Sequence, residues 1–433
     1  MVENVVTDDV SAKGTAGRRV GKKLMAIGAM TDIVVGTVTD DAIFIDRIVA
    51  DVGSAKRTHV LVVTAASGSP TWLYDYFRTV MPMRGIPREN IVLAHVAKYD
   101  DEATPDVDES TWIKGAYDPK EVAKVAKANV VWFEGGDQLR IVELLLNADG
   151  KDSPFQAAIK AKLAAGDLII AGYSAGAAAM SDPMIGAGSA WSALTLPIDP
   201  TCDNGLCVVR GLGYLPSRYH EIIDQHFTER GRYPRLIRAL AAIDEHNGLG
   251  VSEFSALYID LATKKSEVVG VPGKAHVTVI GRDGAAANHE QMGPPFLGDN
   301  YTVSTLAVGD TYDLPDDAHP HGVAAHPVAS DYYEPFSAYY DDNPVGTDAL
   351  GYQALVNHVA VYFADGAPQA TGPAQVDAVG MQFIGPGAAM GFRFRFTADQ
   401  NSAVAWNEDA GYSMFNARLA LTTMAAQFTG LDP

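Results

Sequence analysis

The chain up to residue 172 alternates short apolar runs with longer amphipathic segments, and this alternation limits the fold more than any other feature. Five apolar runs have the length of strands: LMAIG (24–28), HVLVVTA (59–65), IVLAH (91–95), NVVWFEGG (129–136) and DLIIAG (167–172). Four helix-like segments lie between them: TWLYDYFRTVMPMRG, DPKEVAKVAKA, QLRIVELLLNA and SPFQAAIKAKLAAG. The last begins with Ser153 as a candidate N-cap and Pro154 at the first helical position, and it stops at Gly166. This pattern predicts an α/β fold with a mostly parallel sheet flanked by helices.

The sequence changes character after residue 250. The short β-type runs ALYIDL, SEVVGV and HVTVIGR lead into YTVSTLAVGDTYDL, and the chain then becomes rich in Pro, Gly, Asp and aromatic residues. Strand-like alternation returns in MGFRFRFTA, and NARLALTTMAAQF has the composition of a helix. We therefore divide the chain into a loose N-terminal segment (1–20), a main domain (21–315) and a C-terminal α+β extension (316–433).

The extension contains a group of aromatic residues with two possible uses. They either pack the extension onto the main domain, or they line a groove or a subunit interface. The group comprises Tyr332, Tyr333, Phe336, Tyr339 and Tyr340.

Charge and hydropathy exclude two classes of partner. The chain has 53 acidic and 33 basic residues and a net charge of −20, so most of its surface would repel nucleic-acid phosphates. A basic or zwitterionic substrate suits this charge better. No apolar run approaches the roughly 18 residues of a membrane span, and the N-terminus lacks the apolar stretch of a signal peptide. We expect a soluble protein without a membrane partner, cytoplasmic unless a leader has been removed, in which case a periplasmic or secreted protein is possible.

The two cysteines, Cys202 and Cys207, flank a turn-like Asp-Asn-Gly. A pair this close either closes a small disulfide loop or consists of two free thiols, whereas a zinc site would need two more ligands nearby. Both alternatives stay open, and with them the redox compartment.

Ser174 lies in a G-x-S-x-G pentapeptide directly after the fifth apolar run. The alanine-rich AGAAAM that follows can start a helix, so the segment predicts a strand, a sharp turn and a helix, as in a nucleophile elbow. Gly172 and Gly176 leave room for a strained serine, and the N–H of Ala175 is a natural oxyanion donor. The alternative is that the small residues only allow close packing of a strand on a helix.

A second oxyanion donor is predicted in FEGGDQ (133–138). Its two glycines end another predicted strand, at the sheet edge where open α/β folds place their sites. Either Gly135 or Gly136 would present its N–H, and Asp137 and Gln138 would face the substrate. Taken alone, two glycines at a strand end more often form only a turn.

Among the eleven histidines, His226 is the candidate general base. It follows the run YHEIIDQ and precedes the polar TERGRYPRL, so it also lies where a strand stops. His319, His321 and His326 resemble a metal-ligand set, but they lie in a Pro-rich junction. We therefore expect no metal site, and no organic cofactor.

The segment DQHFTERGRYPRL (224–236), together with FEGGDQ, GYSAGAAAMSD and GLGVSE, resembles the cyanophycinase branch of the serine peptidases, which includes dipeptidase E. The opening LMAIGAMTD is similar to that branch's first strand and glycine loop, although Ala29 and Met30 stand where glycines are usual. The resemblance covers roughly residues 21–315, and DQHF followed by spaced arginines is its most specific part. It implies a class I glutamine amidotransferase-like fold and a homodimer.

The resemblance also implies an activity and a catalytic triad. The substrate would be cyanophycin, a polyaspartate with arginine on each β-carboxyl group, and a serine exopeptidase would release β-Asp-Arg from it. Ser174 would be the nucleophile, His226 the general base and Glu253 the acid that orients His226. The chain order, with the histidine before the acid, differs from that of α/β-hydrolases. Without the resemblance, Glu253 would be interpreted as a surface carboxylate at a strand end.

Each cyanophycin unit presents a guanidinium and a free carboxylate, so a pocket for it needs both acceptors and arginines. The predicted substrate-facing acceptors are Asp137, Gln138, Asp224 and Gln225. The predicted carboxylate ligands are Arg230, Arg232 and Arg235. Taken alone, the three arginines are better explained by surface ion pairs than by substrate binding.

Two other functions stay open. One is a dipeptidase of the same family that acts on small aspartyl or isoaspartyl peptides. The other is a binding protein that keeps the fold without the catalysis.

Overall fold

The structure is a computed structural model that describes residues 19–29, 42–325, 375–385, 388–397, 403–407 and 411–427. The strands up to the elbow are β1 (Gly21–Ile27), β2 (Val60–Val63), β3 (Ile91–Ala94), β4 (Val130–Phe133) and β5 (Asp167–Tyr173). The later strands of the main domain are β6 (Met184–Ala187), β7 (Cys207–Val209), β8 (Glu221–Gln225), β9 (Asn247–Val251), β10 (Ser255–Asp260), β11 (Lys265–Gly270), β12 (His276–Gly281), β13 (Gly298–Ala307) and β14 (Thr311–Asp313). The strands of the C-terminal extension are β15 (Val323–Ala325), β16 (Gln375–Gly385), β17 (Ala388–Thr397), β18 (Ala403–Asn407) and β19 (Gly411–Gln427).

The α-helices are α1 (Ala42–Val52), α2 (Trp72–Met83), α3 (Pro119–Lys127), α4 (Gln138–Leu145), α5 (Pro154–Ala164), α6 (Ala175–Ala178), α7 (Ala190–Thr195), α8 (Tyr233–Ile243) and α9 (Gly284–Ala287). Short 3-10 segments span Ala55–Arg57, Arg88–Asn90, Glu109–Tyr117 and Ser217–Tyr219. The five strands and four helices predicted from the alternation are confirmed as β1–β5 and α2–α5. Helix α5 begins as predicted, because the Ser153 hydroxyl oxygen accepts the N–H of Gln156 at 3.2 Å.

The larger sheet has the order β15-β14-β11-β10-β1-β5-β4-β2-β3. Strands β1 to β5 are mutually parallel, and β10, β11, β14 and β15 continue the sheet in antiparallel fashion. Alternate residues of one strand face opposite sides: Leu24 belongs to the core that includes Phe155 of α5, and Met25 to the core that includes Phe77 of α2. Both faces are therefore buried under helices, and the predicted α/β class is confirmed.

The second sheet has the order β16-β17-β19-β13-β12-β9-β8, with β18 paired to β19. Only β8 and β9 are parallel in it. Helix α8 packs on this sheet, where Tyr233 and Leu236 share a buried cluster with Phe394, Phe396 and Leu419. The extension thus contributes strands to a sheet that begins in the main domain, while the boundary at residue 315 stays a prediction.

The prediction of a helix in NARLALTTMAAQF (416–428) is wrong, since residues 416–427 belong to the long strand β19. Ala417, Leu419 and Leu421 are buried, whereas the residues between them are more exposed, which is the two-residue period of a strand. Pairing with β13 on one side and β17 on the other outweighs the helix propensity of Ala, Leu and Met. The aromatic group at residues 332–340 lies outside the described residues.

The two sheets meet at the carboxyl ends of β1, β8 and β9. The His226 N–H donates to the carbonyl of Gly28 at 3.3 Å, and the Phe254 N–H donates to that of Ala29 at 3.0 Å. A Cβ atom on Gly28 would lie 1.9 Å from the carbonyl oxygen of Ser252, so only glycine allows this approach. The backbone therefore brings the residues after β5, β8 and β9 together where the two sheets meet.

None of the helices within residues 42–325 combines the length and the apolar character that crossing a membrane requires.

Candidate active site

Ser174 forms a strained turn between β5 and α6. Its φ of 51° and ψ of −111° lie in a region that non-glycine residues rarely adopt. A Cβ atom on Gly172 would lie 2.4 Å from the carbonyl oxygen of Gly176, and one on Gly176 would lie 2.6 Å from that of Phe133. The glycines are thus required by close backbone contacts, as the elbow pattern predicts.

Ser174, His226 and Glu253 form a connected chain of hydrogen bonds. The Oγ of Ser174 lies 2.9 Å from Nε2 of His226, and Nδ1 of His226 lies 2.6 Å from Oε1 of Glu253. The side chains of His226 and Glu253 are only 12% and 10% exposed. A carboxylate facing Nδ1 favours the tautomer with the proton on Nδ1, which leaves Nε2 to accept the serine proton.

The surroundings of His226 favour the neutral form of its imidazole, because they lower its pKa. Burial lowers the pKa of His226 most strongly, the hydrogen bond to Glu253 raises it, and the positive charges of Arg230 and Arg232 lower it further. A neutral imidazole is the form that a general base requires.

The backbone around Ser174 supplies candidate oxyanion donors. Ala175 occupies the first position of α6, where a backbone N–H has no intrahelical acceptor. Gly135 and Gly136 also line the cavity, and a Cβ on Gly135 would come within 3.2 Å of the Ser174 Cβ. Within the described part of the chain, neither glycine N–H donates to a backbone carbonyl. Gly136 has a φ of 137°, which an L side chain rarely adopts.

An open cavity of about 520 Å³ lies above Ser174. It is lined by Gly135, Gly136, Gln138, Tyr173, Ser174, Ala187, Gly188, Gln225, His226, Arg230, Arg232 and Arg235. Of the residues predicted to contact substrate, two glutamines and three arginines therefore reach the cavity, and two aspartates do not.

The two glutamines keep acceptor atoms at the cavity. The Nε2 of Gln138 donates to the carbonyls of Ile185 and Gly186 at 3.0 and 2.8 Å, so its Oε1 is the remaining polar atom. The Oε1 of Gln225 lies 3.3 Å from the Ser174 hydroxyl, as a second acceptor beside His226.

The carboxylates of Asp224 and Asp137 bind groups of the protein itself. Asp224 is fully buried, and Arg235 donates to both of its carboxylate oxygens. Burial by itself raises the pKa of Asp224, but the charge and hydrogen bonds of Arg235 outweigh burial and hold this pKa below its usual range. Asp137 caps α4 by accepting the N–H of Leu139 at 2.9 Å. The prediction that these two carboxylates face substrate overlooked these internal partners.

The three arginines differ in how far they are engaged. Arg235 also donates to the carbonyl of Gly188, and Arg232 donates to that of Gln225 at 2.6 Å. Burial lowers the pKa of Arg232 to about 9, with the charge of Arg235 acting in the same direction. Arg230 is exposed, so it is the arginine most available to a ligand.

Sequence reasoning missed two parts of the site. The hairpin β6–β7 contributes Ala187 and Gly188 to the cavity wall, and the Cys202–Cys207 disulfide lies beside it, close to Gly186. The disulfide alternative is therefore the one that the structure contains.

Glu229 is the second part, since its Oε2 accepts the backbone N–H of Glu253 at 3.0 Å. Its place directly before Arg230 was the only available signal.

No group of three or more His, Cys, Asp or Glu side chains among the described residues is arranged to hold a metal ion. His319 lies 3.3 Å from the carboxylate of Asp316, and His321 lies 3.2 Å from the side-chain oxygen of Asn247, so these two histidines have separate partners. The third member of that predicted set, His326, lies outside the described residues.

Comparison with known proteins finds relatives that are called cyanophycinases. One from Geminocystis herdmanii is 32% identical over 194 residues, which cover 44% of this chain and 64% of the relative. One from Nostoc is 27% identical over 264 residues, which cover 60% of this chain and 76% of the relative. These similarities confirm the resemblance to cyanophycinases that the motifs predict. The aligned part of the chain spans less than two thirds of the Geminocystis protein.

Among solved structures, a peptidase from an acI-B1 actinobacterium aligns with 61% of this chain and 91% of its own. The identity is 17% and the TM-score 0.41. No family model matches the chain.

Proposed function

We propose that this chain is a serine peptidase that hydrolyses cyanophycin to β-Asp-Arg dipeptides through an acyl-enzyme on Ser174. The observation that carries the proposal is the hydrogen-bonded series from Ser174 through His226 to Glu253, with spacings of 2.9 and 2.6 Å. A strained serine, a buried imidazole with a lowered pKa and a carboxylate at the second imidazole nitrogen are the parts that nucleophilic acyl transfer needs.

The reaction would proceed in two halves. His226 Nε2 takes the hydroxyl proton of Ser174 while Oγ bonds to the scissile carbonyl carbon, and the carbonyl oxygen becomes an oxyanion held by the N–H groups of Ala175 and Gly136. The imidazolium, stabilised by Glu253, then gives its proton to the leaving amine as the C–N bond breaks. A water molecule attacks the acyl-enzyme in the second half, with His226 again as the base.

Cyanophycin as the substrate is supported by the names of the relatives and by the charges at the cavity. The repeating unit bound in the cavity would place its free carboxylate near Arg230 and its guanidinium near the side-chain oxygens of Gln138 and Gln225. We further propose a homodimer, as the resemblance implies, which sedimentation of the purified protein would test.

A dipeptidase that acts on short aspartyl or isoaspartyl peptides is the second candidate. It is favoured by the internal bonds of Arg232 and Arg235, because these leave only Arg230 exposed for carboxylate binding. A long polymer with one carboxylate per unit offers more groups than one exposed arginine can bind.

The deciding experiment is mass spectrometry of the soluble products from cyanophycin, with the intact protein and with Ser174→Ala. Release of β-Asp-Arg by the intact protein alone would support both the substrate and the nucleophile. If a fluorophosphonate labels Ser174 but cyanophycin stays intact, the polymer is the wrong substrate, and isoaspartyl dipeptides become the next trial. Failure of the fluorophosphonate to label Ser174 would instead favour a non-catalytic binding protein.

A further inference from the structure

Glu229 holds the backbone of the triad carboxylate, although the proposed chemistry gives it no role. It lies half-buried in the loop between β8 and α8, and its Oε2 accepts the N–H of Glu253 at 3.0 Å. Its Oε1 accepts the hydroxyl of Thr228 at 2.9 Å, and that hydroxyl oxygen lies 2.8 Å from Oγ of Ser252. Two consecutive residues of one loop thus hold two consecutive residues of another.

The backbone at Glu253 needs this support because it lies between two strands. Strand β9 ends at Val251 and β10 begins at Ser255, so the N–H of Glu253 has no partner within a ladder. On its other side, Phe254 has a φ of 61° and donates its N–H to Ala29 at 3.0 Å. The carboxylate of Glu229 therefore accepts the one N–H of this short, strained β9–β10 loop that the neighbouring strands leave to a side chain, that of Glu253.

The same loop also carries the exposed cation of the cavity. Arg230 follows Glu229 directly, lines the cavity, and donates its N–H to the carbonyl of His226 at 3.2 Å. An anion held by Arg230 would thus act on the loop that holds the triad carboxylate.

We propose that Glu229 is a positioning residue that sets the Glu253–His226 hydrogen bond and links it to the loop that carries Arg230. This inference deepens the proposed function and rests on it. Burial raises the pKa of Glu229, and the charge of Glu253 acts in the same direction, so the site disfavours a negative charge. Glutamine has nearly the same shape and keeps an acceptor oxygen without that charge. What the role requires is an acceptor oxygen at this position rather than a negative charge.

The first test is the downfield NMR signal of the His226 Nδ1 proton, assigned by its absence in His226→Gln. This signal reports the hydrogen bond to Glu253 whether or not cyanophycin is the substrate. We expect it in the wild type and in Glu229→Gln, and we expect its loss or broadening in Glu229→Ala. If Glu229→Ala does not fold, Glu229→Asp replaces it in the test. Aspartate keeps the charge, but its shorter side chain moves the acceptor oxygen away from the Glu253 N–H, so the His226 signal should weaken.

Glu121→Ala is the matched control. Its Oε2 accepts the backbone N–H of His95 at 2.8 Å, so the substitution removes the same kind of bond at the amino end of α3, outside the cavity. It should cost stability but leave the His226 signal in place.

The second test is the rate at which a fluorophosphonate labels Ser174. We expect labelling to slow by roughly 10- to 100-fold in Glu229→Ala, because small displacements of a catalytic group cost that much. Glu229→Gln and Glu121→Ala should react at nearly the wild-type rate. An unchanged signal and rate in Glu229→Ala, or a glutamine variant as impaired as alanine, would overturn the inference. A wild type that shows the NMR signal but resists labelling would refute the proposed function instead, and the NMR series would still decide the role of Glu229.

Discussion

At the scale of single residues, His226 is subject to opposing electrostatic influences. Burial, Arg230 and Arg232 lower its pKa, and Glu253 raises it. Because a general base acts only when neutral, activity should persist below the ordinary imidazole pKa of about 6.5 and fall at more acidic pH.

We predict that Arg230→Gln moves the fall in activity at acidic pH to a higher pH. Loss of a nearby positive charge makes the imidazolium less unfavourable, so the pKa of His226 rises toward its ordinary value. The measurement is the rate of fluorophosphonate labelling of Ser174 against pH, which does not depend on substrate binding by Arg230. Arg88→Gln, at an exposed site outside the cavity, should leave the profile in place. This account would be contradicted if the pH at which the labelling rate falls is unchanged or lower in Arg230→Gln.

Asp224 allows a second prediction, which separates a structural role from substrate binding. Asp224→Asn should lower the free energy of unfolding by about 3–5 kcal/mol, because Arg235 would keep a buried charge without its counter-ion. Urea unfolding monitored by circular dichroism would measure the loss. Asp137→Asn is the matched control, since asparagine caps a helix about as well as aspartate, and it should be nearly neutral. Equal stability of the two variants would mean that the Asp224–Arg235 pair contributes little to folding.

The sequence allowed the candidate triad to be predicted more fully than its surroundings. Ser174 lies in an elbow pattern that can be recognised locally, and His226 and Glu253 lie in motifs that resemble those of a known family. Their proximity did not follow from one parallel sheet, because β5 and β8 belong to different sheets. The bond between Asp224 and Arg235 could not be predicted, because it spans 11 residues and depends on how α8 sits against β8. A motif shows that both residues are present, but not whether they bind substrate or each other.

At the scale of elements, β19 shows where local propensity fails. Its residues include alanine, leucine and methionine, all good helix formers, yet the strand lies between β13 and β17 and pairs with both. Leu419 pairs with Tyr301 on one side and with Phe396 on the other, contacts that are far away in the sequence. No local window could contain that information, whereas β1–β5 follow from apolar runs that need no distant partner to be recognised.

A pair of substitutions tests this strand against the helix that composition predicts. Leu419→Asp should lower the free energy of unfolding by more than about 3 kcal/mol, since Leu419 is 1% exposed and a buried carboxylate there has no partner. Ala420→Asp, at the next residue and on the more exposed face, should cost far less. Thermal unfolding of both variants provides the comparison. Similar losses in the two would argue against a two-residue period.

At the scale of the whole molecule, the C-terminal extension packs against α8, the helix that follows the loop with Arg230. The ring of Tyr233, at the start of α8, packs edge-on against Phe394 with centroids 5.2 Å apart. Helix α8 also carries Arg235, whose bond to Asp224 anchors the segment that leads to His226. The described part of the C-terminal strands therefore supports the helix that follows the loop with Arg230.

A chain that ends at Ala325 should lose protection at α8 before it loses the parallel sheet. The truncation removes Phe394, Phe396 and Leu419 from the cluster around α8 and exposes the edge of β13, but β1–β5 keep their partners. Hydrogen exchange measured by mass spectrometry should show faster exchange in Tyr233–Ile243 and little change in β4 and β5. Phe394→Ala in the full chain should reproduce a milder form of this pattern, with a cost of about 3–5 kcal/mol. Unchanged exchange in α8 of the truncated chain would show that the helix is held by the main domain alone, and uniform loss of protection would show that the two sheets unfold as one unit.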